Sequence, residues 1–264
     1  MKVSFLGCGN MGGAIAHAIC RSHELTVFDT DGKKAALLAQ ETGAVPAKTL
    51  ESALEASECI VIAVKPQVLP SLYPILRRYG EKKYISIAAG VPLEVLTREI
   101  GTDDIVRFMP NIAAKAKAAV TAVASAGGCD EEFLKAAFSI AESFGSAFIL
   151  SESLFPAFIG ISGSAIAYIF EFVHALSLGG TDQGISYSES VKIVADTMAS
   201  AVALLKDSGK NPAELMTMVC SAKGTTIKGM EALYEGNFDS TVMNAVIRAS
   251  EKSQELEKTA KERK

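Results

Sequence analysis

The 264-residue sequence lacks any closely spaced cysteine pair and any cluster of basic residues. Its five cysteines, Cys8, Cys20, Cys59, Cys129 and Cys220, are odd in number and widely separated, which excludes a disulfide framework or a zinc site and points to a reducing, cytoplasmic setting. Twenty-six Lys and Arg are scattered among 30 Asp and Glu, so the net charge of −4 leaves no nucleic-acid footprint. The first residues have no basic, cleavable pattern, so no export signal is expected. The longest charge-free stretch, Leu154 to Phe170, contains Pro156, Gly160 and Gly163 and runs on to Glu171 and His174. No membrane partner is therefore expected, and a helix buried in an interface accounts for it. Histidine is scarce as well, and His17, His23 and His174 read as structural.

What the chain does have is a core and a rhythm. Hydrophobic residues make up 49% of it, ample to bury one large domain or two smaller ones. Through about residue 150, short apolar runs near 2–6, 25–29, 59–64, 84–88, 104–108, 119–124 and 146–150 alternate with amphipathic stretches. That is the βαβ pattern of a doubly wound parallel sheet. From Ser151 onward strand signals vanish and helical periodicity takes over, with stops expected at Gly179-Gly180, Gly209 to Pro212 and Gly236-Asn237. Ser186 and Asn211-Pro212 read as helix starts. The last helix, from about Asp239, turns polar and reads as a solvated, fraying end. The expected fold is thus an α/β Rossmann-type domain over residues 1–150, binding a dinucleotide, followed by an all-α domain over residues 151–264.

The strand Lys2 to Leu6 runs into Gly7-Cys8-Gly9-Asn10-Met11-Gly12 and then an apolar helical segment. Gly7 allows the tight turn, Gly9 lets the backbone approach a pyrophosphate, and Gly12 lets the helix pack on the strand, while Asn10 and Met11 open the helix whose free N–H groups face the phosphates. Asp29 closes the second strand about twenty residues beyond the middle glycine. A carboxylate there accepts hydrogen bonds from a ribose 2′-hydroxyl and repels a 2′-phosphate, favouring NADH over NADPH, with Lys33 and Lys34 as partial compensation. Ala63-Val64-Lys65-Pro66 and Ala88-Ala89-Gly90 close two further strands at the sheet edge where such folds bind ligands.

The helical half carries the more specific segment, Asn211-Pro212-Ala213-Glu214-Leu215, then Val219-Cys220-Ser221-Ala222-Lys223-Gly224-Thr225-Thr226-Ile227. It resembles the signature of the pyrroline-5-carboxylate reductase family. Further landmarks lie in the right order: Ala63 to Gln67, Ser86 to Val91, Arg107-Phe108-Met109-Pro110-Asn111, and Ile161-Ser162-Gly163-Ser164 with Ala167-Tyr168. The resemblance implies a Rossmann domain, a helical domain interlocked with that of a second subunit as a homodimer or larger homo-oligomer, and hydride transfer from NADPH or NADH to 1-pyrroline-5-carboxylate, the last step of proline biosynthesis. Ser221, Gly224, Thr225 and Thr226 would hold the substrate, with Thr226 beside the ring nitrogen as the residue nearest the chemistry. The residues agree, because Gly224, Thr225 and Thr226 precede an apolar helix whose N–H groups suit a small carboxylate. Lys65 fits backbone contact to the cofactor, with a catalytic lysine as the other reading.

The chain departs from the family pattern at Ala222-Lys223 in the substrate loop, at Ala165-Ile166, and at Ile112-Ala113-Ala114-Lys115 after Asn111. A lysine in place of glycine is strained if φ is positive at 223, and Lys223 is expected to point away from the pocket. These changes keep open a related imine or keto acid substrate. A β-hydroxyacid dehydrogenase, for which Lys192 is followed by Asp196 rather than Asn, and a non-catalytic dinucleotide-binding protein stand as alternatives.

Overall fold

The computed structural model describes residues 1–262. Eight strands form one sheet: β1 (Lys2–Leu6), β2 (Glu24–Phe28), β3 (Val45–Pro46), β4 (Cys59–Ile62), β5 (Lys83–Ser86), β6 (Ile105–Pro110), β7 (Ala119–Ser125) and β8 (Gly145–Ile149). Their order is β3-β2-β1-β4-β5-β6-β7-β8. The chain reverses its direction of winding between β1 and β4, and the carboxyl end of β1 therefore lies at a topological switch point. The expectation of a wholly parallel sheet is corrected at one place. The β6–β7 pair is antiparallel, Phe108 opposite Val123, because the two strands are joined by a short turn rather than a crossover helix.

Helices α1 (Asn10–Ile19), α2 (Gly32–Thr42), α3 (Leu50–Glu55), α4 (Leu69–Leu76), α5 (Leu93–Ile100) and α6 (Glu131–Glu142) cover both faces of this sheet. Strand alternation builds two cores. Along β4, Cys59 and Val61 face the α1, α2 and α6 side, while Ile60 and Ile62 face α3, α4 and α5. Phe155 and Phe158, in the short helix α7 (Phe155–Phe158), complete the second core.

By its contacts the chain divides into two compact units, one of Met1–Gly163 with the chain from Arg248, the other of Ser164–Ile247. The second unit contains α8 (Ala165–Asp182), α9 (Tyr187–Ser208), α10 (Pro212–Val219), α11 (Thr225–Glu235) and the start of α12 (Phe238–Glu262). Ser186 caps α9 through Glu189 N–H at 3.3 Å, and Asn211 caps α10 through Glu214 N–H at 3.0 Å with Pro212 at the first position. Gly179-Gly180 does not stop α8, which runs on to Asp182. A Cβ at Gly180 would lie 2.7 Å from Ser190 Oγ, so this glycine serves the close packing of α8 on α9. The helical run Glu152–Asp182 is long and apolar enough, by length and composition, to cross a membrane. It is interrupted by a π-turn at Ile159–Gly163.

The C-terminal tail is also corrected, since it is not simply a solvated end. Leu256 lies against Gly90, Glu257 pairs with the buried Arg107 at 2.9 Å, and Lys261 meets Glu94 at 2.6 Å. The apolar and acidic positions of this polar-looking helix fall on the side that docks.

Candidate functional site

The glycine turn is stitched at the end of β1. Gly7 has φ +104°, and its N–H donates to Phe28 O at 2.8 Å, while Ala63 N–H donates to Leu6 O at 2.8 Å. A Cβ on Gly7 would meet Ala63 O at 2.6 Å, and one on Gly12 would meet Gly7 O at 2.5 Å. Both positions therefore require glycine for fit, and Gly7 requires it for conformation as well. Gly9 differs, because a Cβ there would meet nothing within 4 Å; its side faces open space at the start of α1. Gly9 is the N-cap, no side chain caps the helix, and its first turn contains no acid. Amides aimed into an open cradle at a positive helix end fit a pyrophosphate. Asn10 is exposed and Met11 half-buried at its rim.

Asp29 stands at the other side of that cradle. Its Oδ2 accepts from Cys8 N–H at 2.8 Å and its Oδ1 from Asp31 N–H at 2.9 Å, and no cation pairs with it among the described residues. Burial, reinforced by the Asp29 charge, pushes the Cys8 thiol up to about 12. Val64 and Pro66 are half-buried, and the exposed Lys65 accepts Val68 N–H on its carbonyl at 2.9 Å. Ala88 is buried and Ala89 exposed. Gly90, with φ +72°, faces Leu256, whose Cβ would be 3.3 Å from an added Cβ. A cavity of about 830 Å³ opens beside Pro66, Ala89 and Gly90 and extends to Tyr73, Val95 and Leu256.

In the helical unit, Gly224 is the N-cap of α11 with extended backbone, and no side chain caps this helix either. Its N–H donates to Ser221 O at 3.0 Å, which folds the loop so that a Cβ on Gly224 would be driven into Ser221 Oγ. The hydroxyls of Ser221, Thr225 and Thr226 make no hydrogen bond among the described residues. The first-turn amides are thus available to a small anion, with these hydroxyls close by in sequence. Lys223 adopts φ +58°, so the condition for strain at this position is met, and the residue is exposed. His17, His23 and His174 pair with Glu41, Ser22 and Tyr187, and none belongs to the glycine turn or the α11 start.

One arrangement escaped the residue-by-residue reading. Arg107 is fully buried on β6, donates to Glu152 at 2.7 Å and Glu257 at 2.9 Å, and lies 5.0 Å over the Phe155 ring. A lone arginine inside the apolar run Ile105 to Met109 is the signal, since such a charge is buried only when paired. Asn111, also buried, joins Ser162 at 3.2 Å, uniting two of the segments that carry the resemblance.

Residues 2–90 match the family described as NADP oxidoreductase coenzyme F420-dependent, and residues 152–256 match the family described as pyrroline-5-carboxylate reductase dimerisation. Sheet, cradle and these matches define a nicotinamide-dinucleotide-dependent oxidoreductase with a helical second half. The chain is 35% identical to the pyrroline-5-carboxylate reductase of Aquifex aeolicus, over 97% of each chain, and 36% identical to that of Methanosarcina acetivorans, over 97% and 98%. A crystal structure of the Plasmodium falciparum pyrroline carboxylate reductase with NADP bound superposes with a TM-score of 0.87 at 28% identity, over 97% and 98% of the two chains. The protein belongs to the pyrroline-5-carboxylate reductase family.

Proposed function

We propose that the protein reduces 1-pyrroline-5-carboxylate to L-proline. The observation that carries this reading is the uncapped start of α11, which lies in a Ser221 to Thr226 loop resembling the family signature. The amides of the first turn hold the substrate carboxylate at the positive helix end. The Thr226 hydroxyl stands beside the ring nitrogen and orients its proton. The reduced nicotinamide supplies the hydride when bound. A cyclic imine is readily protonated near neutral pH, so the chain has little acid–base work to do. Orientation of two bound reactants contributes roughly 7–11 kcal/mol, against roughly 3–5 kcal/mol for a general acid. That difference explains how a site built of amides and hydroxyls suffices.

The glycine cradle holds the pyrophosphate, with Ala63, Val64, Lys65, Pro66, Ala88, Ala89 and Gly90 walling the nicotinamide half. Asp29 supports NADH as the preferred cofactor, because its carboxylate is fixed by two backbone N–H groups and its charge meets no protein cation. Five free thiols support a reducing, cytoplasmic location. Exposed apolar side chains on the helical unit, among them Phe170, Met218 and Met243, support a homodimer that covers them.

The test follows reduced-nicotinamide absorbance with 1-pyrroline-5-carboxylate, with NADH and NADPH in parallel, for the wild type and Asp29→Asn. Oxidation faster with NADH, and a ratio shifted toward NADPH in the variant, is expected. Dinucleotide binding without oxidation of either cofactor would sink the reductase reading.

A further inference from the structure

We propose that Lys115 is a cofactor-binding residue that supplies a positive charge to the dinucleotide's pyrophosphate. The proposal rests on the dinucleotide reading above. Lys115 lies in the 3₁₀ turn Ile112–Ala116, one of the places where the chain departs from the family pattern. Its Nζ donates to Asn10 Oδ1 at 3.0 Å, reaching across 105 residues to the first residue of α1. The ammonium thus stands at the phosphate-accepting end of the glycine cradle.

The turn that carries it is firmly held. Asn111 Oδ1 accepts from Ala113 N–H at 3.2 Å and Val120 N–H at 3.4 Å, Ala114 is buried in the core under α1, and Lys117 closes the turn at φ +54° with its N–H on Ala114 O at 3.0 Å. A long exposed lysine ordinarily roams; here its base is fixed against α1 and its tip is tied to Asn10.

The electrostatics favour an anion at this position. A cation beside a helix N-terminus is repelled by the positive end of the dipole. The first turn of α1 contains no acid, and Lys115 joins no ion pair among the described residues. Asp29, the carboxylate of the same cradle, is held by Cys8 and Asp31 amides. The α1 N-terminus and the Lys115 ammonium, which is hydrogen-bonded to the side chain of its first residue, are thus both positive. A pyrophosphate resolves this by accepting from both the α1 amides and the ammonium as charge-assisted bonds. Asn10, whose side-chain oxygen accepts from Lys115, holds the ammonium beside the first residue of α1.

The experiment measures dissociation constants of NADH and of ADP-ribose, which keeps the pyrophosphate and lacks the nicotinamide, for the wild type, Lys115→Met, Lys115→Arg and the surface control Lys135→Met, at low and high salt. Lys115→Met is expected to weaken both ligands roughly tenfold at low salt, the size of one charge-assisted hydrogen bond at a solvent-exposed site. The gap should shrink at high salt, where exposed charges are screened. Lys115→Arg should retain most of the affinity, and Lys135→Met all of it. Melting temperatures of Lys115→Met and wild type should agree, separating lost binding from lost structure. Equal affinity in Lys115→Met, or a loss for NADH alone with ADP-ribose unaffected, overturns the proposal. Wild-type protein that binds neither ligand overturns the dinucleotide reading itself, an outcome distinct from either.

Discussion

Thr226 presents both an amide and a hydroxyl from the first turn of α11, and the two are separable by substitution. Thr226→Val keeps shape and amide while deleting the hydroxyl. It is expected to lower kcat roughly 10- to 100-fold with little change in KM for the imine, because the amides that hold the carboxylate remain. Steady-state kinetics check this, and an unaltered kcat would remove Thr226 from the chemistry. Lys223 raises the opposite question, since its left-handed backbone strains any side chain. Lys223→Gly is expected to stabilise the protein by up to about 1 kcal/mol, the strain relieved less the greater freedom of an unfolded glycine. Binding of L-proline should be unchanged. A sharp loss of proline binding would mean that the ammonium points into the pocket. The sequence raised the question of strain at 223 by placing lysine where the family pattern has glycine, and the positive φ answers it. Lys115 was visible only as a departure, because its contact with Asn10 joins positions 105 residues apart that local pattern cannot connect.

At the level of elements, seven of the eight strands were legible as short, mostly apolar runs, even where a polar residue such as Ser4, Thr26 or Arg107 interrupts them. β3 was not, being two exposed residues with a proline on an edge strand, where hydrogen bonding is one-sided. The antiparallel turn between β6 and β7 also left no mark in local periodicity, which reports burial and not direction. The glycine turn was legible from its spacing between strand and helix, and sterics account for Gly7 and Gly12 but not for Gly9, which faces open space. Helix α12 was misread. Its polar face is real, but Leu256 and Glu257 engage groups that are distant in sequence, Gly90 and Arg107. Glu257→Ala leaves Arg107 buried with Glu152 as its one remaining carboxylate. A loss of about 2–3 kcal/mol is expected from denaturant unfolding, with Glu257→Gln milder because it keeps one acceptor. A change below 0.5 kcal/mol in the alanine variant, the range of ordinary surface substitutions, would show that the pair does not secure the helix.

At the level of the molecule, the helical unit exposes more large apolar side chains than a stable isolated unit tolerates, with Phe170 67% exposed and Met243 63% exposed. Phe170→Glu is expected to shift the protein from dimer toward monomer in sedimentation velocity, and to make its melting temperature depend more strongly on concentration. A wild-type monomer at micromolar concentration would contradict the homodimer reading. The apolar composition of Leu154 to Phe170 signalled this surface, but not how its residues divide, with Phe155 and Phe158 buried in the sheet's core and Phe170 exposed on α8.

The first unit is discontinuous along the chain, its final layer arriving only with Arg248 and the turns that follow. During synthesis the sheet and its glycine cradle emerge early, while Arg107 must wait for Glu257, 150 residues later, before its second counter-charge exists. The nascent protein therefore passes most of its translation with a charge destined for burial still incompletely paired. Chains interrupted before Glu257 retain that defect, which sets them apart from finished enzyme as readily unfolded substrates for a protease.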